Sequence, residues 1–234
     1  MKLRAFIILA CAIFMSSFTD LTGQLNSKLS QYCKTLSSEF DQISEERKKD
    51  LQEMGDYIAE KINNSKNCKL LFICTSNSRR SHMGQIWAYT ASQYYELDNI
   101  WTFSGGTEET KVNINAINAL RRCGFEISTT QETDNPIWMV QPFNTCKGFG
   151  VFSKKYNNTI NPKEEFCALM VCSEADHSCP IVEGAELRIP LPYHDPKIFD
   201  NKPEQDAKYD ERCRQIAREM FYAMDYAKKK LSKN

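Results

Sequence analysis

Lys69-Leu70-Leu71-Phe72-Ile73-Cys74-Thr75-Ser76-Asn77-Ser78-Arg79-Arg80-Ser81-His82 passes from an apolar run into a polar loop. The run Leu70 to Ile73 is short and continuous, which suits a parallel strand buried on both faces. From His82 to Tyr95 the pattern reads as a helix. Strand, tight polar loop and helix in that order place Cys74 at the end of a strand and the loop at a helix N-terminus. Such a turn aims several backbone N–H groups inward and binds a tetrahedral oxyanion.

The side chains of the loop fit that reading. Arg80 follows Cys74 by six residues, and its planar fork can grip two oxyanion oxygens. The same donors favour the anion of Cys74, which is expected to be a thiolate at neutral pH and a ready nucleophile. Asn77 tolerates left-handed backbone and would stiffen the turn. Ser81 can donate a hydrogen bond to the sulfur. Thr75, Ser76, Asn77, Ser78, Arg79, Arg80 and Ser81 are thus the expected oxyanion-binding residues. His82 is expected at the surface or as a cap. The alternative is a buried structural cysteine beside a solvated pair of arginines.

Outward from the loop, strands and helices alternate. Ile100 to Phe103 reads as a second strand ending at Ser104-Gly105-Gly106, and Asn113 to Arg122 as a helix stopped by Gly124. Ala168 to Cys172 reads as another buried strand, and Tyr209 to Leu231 as a closing helix with Tyr209, Cys213, Ile216, Met220 and Met224 on one face. Alternation of this kind predicts an α/β domain with a mainly parallel sheet. Residues 25–64 carry apolar side chains at helical spacing, among them Leu29, Leu36, Leu51, Met54 and Ile58, and predict one or two amphipathic helices that pack on the main domain. Between about 135 and 165 the Pro- and Gly-containing stretch, with strand-like Ile137 to Val140 and Gly150 to Phe152, predicts an inserted hairpin or long loop.

Composition narrows the partners. The 234 residues allow one sizeable domain, and 41% hydrophobic with 26% charged residues is ordinary for a globular protein. Lys+Arg and Asp+Glu are equal at 30 each, so no global basic field argues for nucleic acid or an anionic membrane surface. Lys2 and Arg4 precede an unbroken apolar run, Ala5 to Met15, that is short for a spanning helix and reads as a secretory signal ending near Gly23. A lipoprotein box at Cys11 and an uncleaved anchor are the alternatives. Export to the periplasm or the medium is expected, with no membrane attachment once the signal is gone. Ten cysteines in an exported chain invite disulfides. No metal-ligand cluster or nucleotide motif is present, so no bound cofactor is expected.

The segment from Leu71 to Ala88, Leu-Phe-Ile-Cys-Thr-Ser-Asn-Ser-Arg-Arg-Ser-His-Met-Gly-Gln-Ile-Trp-Ala, resembles the active-site segment of low-molecular-weight protein tyrosine phosphatases and the related thioredoxin-coupled arsenate reductases. The resemblance runs from about Cys68 to Lys230 apart from the insertion, and Phe103 to Gly106 looks like that family's second-strand turn. It implies a four-stranded parallel sheet flanked by helices. Residues 1–23 would then be a signal, 24–66 a helical extension, and 67–234 the family domain with its insertion.

Tyr193-His194-Asp195-Pro196 resembles the family's Asp-Pro loop, which implies that Asp195 is a general acid; by itself Asp-Pro is an ordinary turn signal. The stretch Val171 to Pro180 resembles the redox segment of the arsenate reductases. That resemblance implies a relay in which Cys74 attacks arsenate, Cys172 attacks Cys74, and Cys179 takes over the disulfide for reduction by a thioredoxin-like partner. The alternatives are a static Cys172–Cys179 disulfide or two inert thiols. The chain departs from the family pattern at Arg79, often Cys there, at Ser76, usually Gly, and at Gln85, where the reductases tend to have Glu. Arsenate or a phosphate ester is the implied substrate, and an oxyanion binder without catalysis is the third possibility.

Overall fold

The computed structural model describes residues 25–143, 148–178 and 181–233. Two helices come first, α1 (Ser27–Leu36) and α2 (Glu45–Asn63). Side-chain caps start both: Asn26 accepts from Leu29 N at 2.9 Å, and Ser44 accepts from Arg47 N at 3.2 Å. Then follow β1 (Cys68–Cys74), α3 (Arg80–Tyr94), β2 (Ile100–Gly106) and α4 (Ile114–Cys123), the last ending at the left-handed Gly124 with φ 114°. The strands β3 (Glu126–Ser128), β4 (Trp138–Gln141) and β5 (Phe149–Val151) come next. The chain continues through β6 (Phe166–Met170), the short α5 (Ser173–Ser178), β7 (Ala185–Pro190) and the long α6 (Gln205–Leu231).

Four strands form a parallel sheet in the order β2-β1-β6-β7. The two central strands are the continuous apolar runs: every residue of β6 is buried, as are all of β1 except Lys69. A parallel strand covered on both faces has no solvent side to mark with polar residues, hence the absence of alternation. The edge strand β2 does show an exposed side, with Trp101 56% accessible. The helix α2 packs against β1 and β7, α3 packs against β1 and β2, and α6 lies across α2, α3 and α4. Leu29, Leu36, Leu51, Met54 and Ile58 from the first two helices are fully buried in the same core as the sheet. Each such side chain stabilises the fold by roughly 1.5–3 kcal/mol.

The insertion is more than a hairpin: β3, β4 and β5 make a small antiparallel sheet whose first strand begins at Glu126, ahead of the expected boundary. Three elements went unread in the sequence, β3, the six-residue α5 and β7. The strand β3 has three residues, and β7 alternates only weakly in burial. The expected signal segment lies outside the described residues, as does Cys179. The seven described cysteines, 33, 68, 74, 123, 167, 172 and 213, are buried free thiols. Among the described residues no helix is long and apolar enough to cross a membrane, and no group of acidic, His and Cys side chains could hold a metal ion.

Parallel strands end on one side, and that decides where chemistry can sit. Cys74 closes β1, Gly106 closes β2, Cys172 follows β6, and the segment to Asp195 follows β7. Hydrogen bonds extend the ladder past the strands: Val171 N donates to Ile73 O at 2.9 Å, Leu191 N to Met170 O at 2.9 Å, and Tyr193 N to Val171 O at 3.2 Å.

Candidate active site

The loop between β1 and α3 is held from outside by its carbonyls. Thr75 O accepts from Glu108 N at 2.8 Å and Ser76 O from Thr110 Oγ1 at 2.7 Å. Asn77 O accepts from His82 Nε2 at 2.8 Å and Ser78 O from Asn113 N at 2.9 Å. With four successive carbonyls bonded outward, the N–H edge of the backbone is turned toward the middle, the arrangement an oxyanion requires.

Asn77 is the centre of this scaffold. It is fully buried at a positive φ of 42°, where Asn is tolerated better than most residues. Its Nδ2 donates to Ser81 Oγ at 2.9 Å, and its Oδ1 accepts from Lys154 N at 2.8 Å. Ser81 Oγ in turn lies 3.1 Å from Cys74 Sγ. Since Asn77 already donates to that hydroxyl, the hydroxyl hydrogen is free for the sulfur. Gly106 allows the close approach of β2: a Cβ there would stand 2.5 Å from Thr75 O and 2.8 Å from Asn77 N.

His82 is not the surface residue expected. It is fully buried, with Nε2 on Asn77 O and Nδ1 3.2 Å from Ser104 Oγ. A carbonyl can only accept, so Nε2 carries the hydrogen and Nδ1 takes one from the serine. Burial, with the charge of Lys154 adding to it, pushes His82 down to about 3, and the ring stays neutral. The sequence around His82 is that of a helix start, and nothing local marks it as the brace of the loop.

Arg80 is buried and fixed at both ends of its fork, Nη1 to Tyr193 O at 2.7 Å and Nη2 to Asp195 Oδ2 at 2.8 Å. Arg79 reaches the same carboxylate, with Nε 2.9 Å from Oδ1 and Nη2 3.3 Å from Oδ2. Lys197 N donates to Asp195 Oδ1 at 3.0 Å. Burial alone would push Asp195 up, but the two guanidinium charges and the Lys197 N–H outweigh it and hold the carboxyl below its usual range. Asp195 therefore sits over the loop as a carboxylate on the arginines an oxyanion would use. Arg79, expected on the oxyanion, lines the same cavity and is paired, like Arg80, with Asp195.

Cys74 departs from expectation in the same arrangement. Burial pushes its thiol up; the Ser81 hydroxyl lowers it, nearby Cys172 raises it, and Arg80 and the Ser78 N–H lower it without overcoming burial. The thiolate expectation counted the donors beside the sulfur and not its burial, which is the largest influence on it. Cys172 is fully buried at the start of α5, its sulfur 3.4 Å from Thr75 Oγ1 and accepting from Ala175 N at 3.4 Å. The fold thus brings Cys74, Arg80 and Asp195 around one cavity of about 150 Å³, lined by Cys74, Thr75, Ser76, Ser78, the two arginines, Glu174, Asp195 and Lys197, with Cys172 buried behind Thr75 and outside the lining. That volume is below the 300–1,000 Å³ typical of sites for larger ligands.

Two supports come from outside the motif. Ser153 Oγ donates to Ser76 O at 3.2 Å and Thr110 N donates to Ser153 Oγ at 2.9 Å, so the inserted segment buttresses the loop. From α2, Arg47 Nε donates to Glu219 Oε2 at 2.8 Å and its guanidinium lies 4.7 Å above the Tyr193 ring; the Tyr193 hydroxyl donates to the same Glu219 oxygen at 2.8 Å. This network fixes the residue whose carbonyl holds Arg80. No sequence signal links positions so far apart.

No family model matches the chain. Curated relatives do: arsenate reductase 2 of Staphylococcus haemolyticus is 32% identical over 114 residues, 48% of this chain and 66% of that one. An arsenate reductase of Brevibacillus brevis is 30% identical over 130 residues, 54% of this chain and 75% of that one. Among solved structures, a low-molecular-weight protein tyrosine phosphatase of Bacillus subtilis overlays with a TM-score of 0.47 at 14% identity, covering 69% of this chain and 97% of the other. The length and identity of the match to the Brevibacillus protein carry the conclusion: the chain belongs to the cysteine-nucleophile family of the arsenate reductases.

Proposed function

We propose that the chain is an arsenate reductase, with Cys74 as nucleophile, Arg80 and the loop N–H groups as oxyanion binders, Asp195 as proton donor, and Cys172 and Cys179 as the relay thiols. The observation that carries this reading is the second buried thiol: Cys172 stands 3.4 Å from the Thr75 hydroxyl of the oxyanion loop and is close enough to Cys74 to raise its pKa. A phosphatase has no use for it, because water ends that reaction.

In this reading the oxyanion draws Arg80 away from Asp195, which then takes up a proton; the Cys74 sulfur attacks arsenic and one arsenate oxygen leaves as water, its proton supplied by Asp195. Cys172 then attacks the Cys74 sulfur. The sulfur–arsenic bond breaks with its electron pair going to arsenic, which departs as arsenite; the two thiols have become one disulfide, losing the two electrons arsenic gained. Cys179 displaces Cys74 from that disulfide, and an external dithiol of the thioredoxin class reduces the Cys172–Cys179 bond. Export of the chain, read from Lys2 to Gly23, would place this chemistry outside the cytoplasm with a reductant of that compartment.

Cys172→Ser is expected to abolish arsenite release while leaving hydrolysis of p-nitrophenyl phosphate nearly intact. Cys179→Ser is expected to permit one turnover and stall as a Cys74–Cys172 disulfide, visible by mass spectrometry. Ester hydrolysis without arsenate turnover under every dithiol tried would move the assignment to a phosphatase, the reading that Asp195 at the cavity edge also suits.

A further inference from the structure

A second cavity, of about 400 Å³, opens beside the edge strand β2, between α3, β5 and the chain that follows β5. Its walls are aromatic: Tyr89, Phe103, Phe149 and Phe152. Two polar side chains interrupt them. Lys154 is 4% exposed and has no carboxylate within ion-pair distance among the described residues; its ammonium lies 4.8 Å from the centre of the Phe152 ring. Gln85 donates from Nε2 to Thr102 O at 3.1 Å, and its buried Oε1 has no partner among the described residues.

A buried lysine without an anion is unusual, because the ammonium loses its water without gaining a counter-charge. Burial accordingly pushes Lys154 down to about 8, and the ring of Phe152 offsets only part of the cost. The position is imposed by the backbone: Lys154 N donates to Asn77 Oδ1 at 2.8 Å, and Gly106 N donates to Lys154 O at 2.9 Å. The side chain is thus held in an apolar cavity by bonds that serve the neighbouring loop.

We infer that this cavity binds an aromatic carboxylate, whose anionic head pairs with Lys154 and whose ring lies among Tyr89, Phe103, Phe149 and Phe152. Charge complementarity selects the head and the aromatic walls select the body. Trp101 and Ile160, 56% and 60% exposed, also line the cavity, so it is open to solvent on that side. The site is separate from the oxyanion loop and does not depend on which reaction that loop performs. Lys154 N on Asn77 Oδ1 fixes the lysine's place beside the loop, but the bond is made by the backbone and leaves the side chain to the cavity.

The test is calorimetric titration of the full chain with 1-naphthoate. Saturable one-to-one binding is expected, with neutral 1-naphthamide at least about tenfold weaker, as the loss of one charge-assisted contact implies. Saturating inorganic phosphate should leave naphthoate binding unchanged. Lys154→Met should weaken it about tenfold or more, and Lys154→Arg should restore part of it. Should Lys154→Met fail to fold, Ile160→Asp tests the same point from an exposed position by placing a negative charge at the mouth, and weaker naphthoate binding is again expected. No saturable heat, equal affinity for the amide, or displacement by phosphate would each overturn the inference; the last would mean that the carboxylate sits in the Cys74 loop.

Discussion

Replacing Asp195 by Asn separates two effects that the structure ties to one carboxylate. Asp195 accepts from Arg80 Nη2 at 2.8 Å, from Arg79 Nε at 2.9 Å and from Arg79 Nη2 at 3.3 Å. An oxyanion that is to be gripped by Arg80 must first take that nitrogen from Asp195. A hydrogen bond to a charged group contributes about 1.5–3 kcal/mol. The Asp195 side chain is 25% exposed, so screening puts this one at the low end. Asn keeps an acceptor but not the charge, and the bond falls to about half. The oxyanion should therefore bind Asp195→Asn about three- to fourfold more tightly, at 1.4 kcal/mol per tenfold. With the carboxylate gone, the charge of Arg80 acts undivided on Cys74, and alkylation by iodoacetamide should proceed at lower pH than in the wild type. Turnover should fall all the same, by roughly 10²–10⁴ for esters with poor leaving groups and much less for activated ones. Phosphate titration calorimetry, the pH profile of alkylation and rates on an alkyl and a nitrophenyl ester measure the three. Weaker phosphate binding in the variant would refute the reasoning, for it would mean that Asp195 orders the arginines for the oxyanion instead of competing with it.

Further outcomes follow from the supports of the site. His82 has a folded-state value of about 3 against about 6.5 for a free histidine, so the unfolded chain takes up the proton first. Stability should be full above about pH 6.5 and fall by about 1.4 kcal/mol per unit below it, down toward pH 3, and His82→Asn should flatten that slope in urea melts at pH 7 and pH 5. Arg47→Met leaves the carboxylate of Glu219, whose side chain is 3% exposed, without its cation; a loss of about 3–5 kcal/mol is expected by urea denaturation. The same variant should raise the KM for the oxyanion more than it lowers kcat, because Tyr193 and hence Arg80 lose their anchor. Phosphate should protect Cys74 from alkylation in the wild type, and equal labelling with and without it would remove the loop as an oxyanion site.

The local character of the chain was legible in the sequence. Leu70 to Ile73 reads as a buried strand, Gly124 as a helix stop, and a cysteine, five residues and an arginine between strand and helix as the layout expected of an oxyanion loop. The helices before β1, and β4 and β5 in the insertion, follow from their local pattern. What the sequence left open is everything set by the sheet order β2-β1-β6-β7. Only that order carries Cys172 and Asp195 to the side of Cys74, lets one carboxylate occupy two arginines, and surrounds the thiol so fully that burial outweighs the donors beside it. Only the packing of an inserted segment on β2 buries His82 at the loop and leaves Lys154 in an aromatic cavity. Hydrogen-bond valence and hydrophobic period are properties of neighbouring residues and can be read along the chain, whereas burial and the distance between charges depend on residues that meet only after folding.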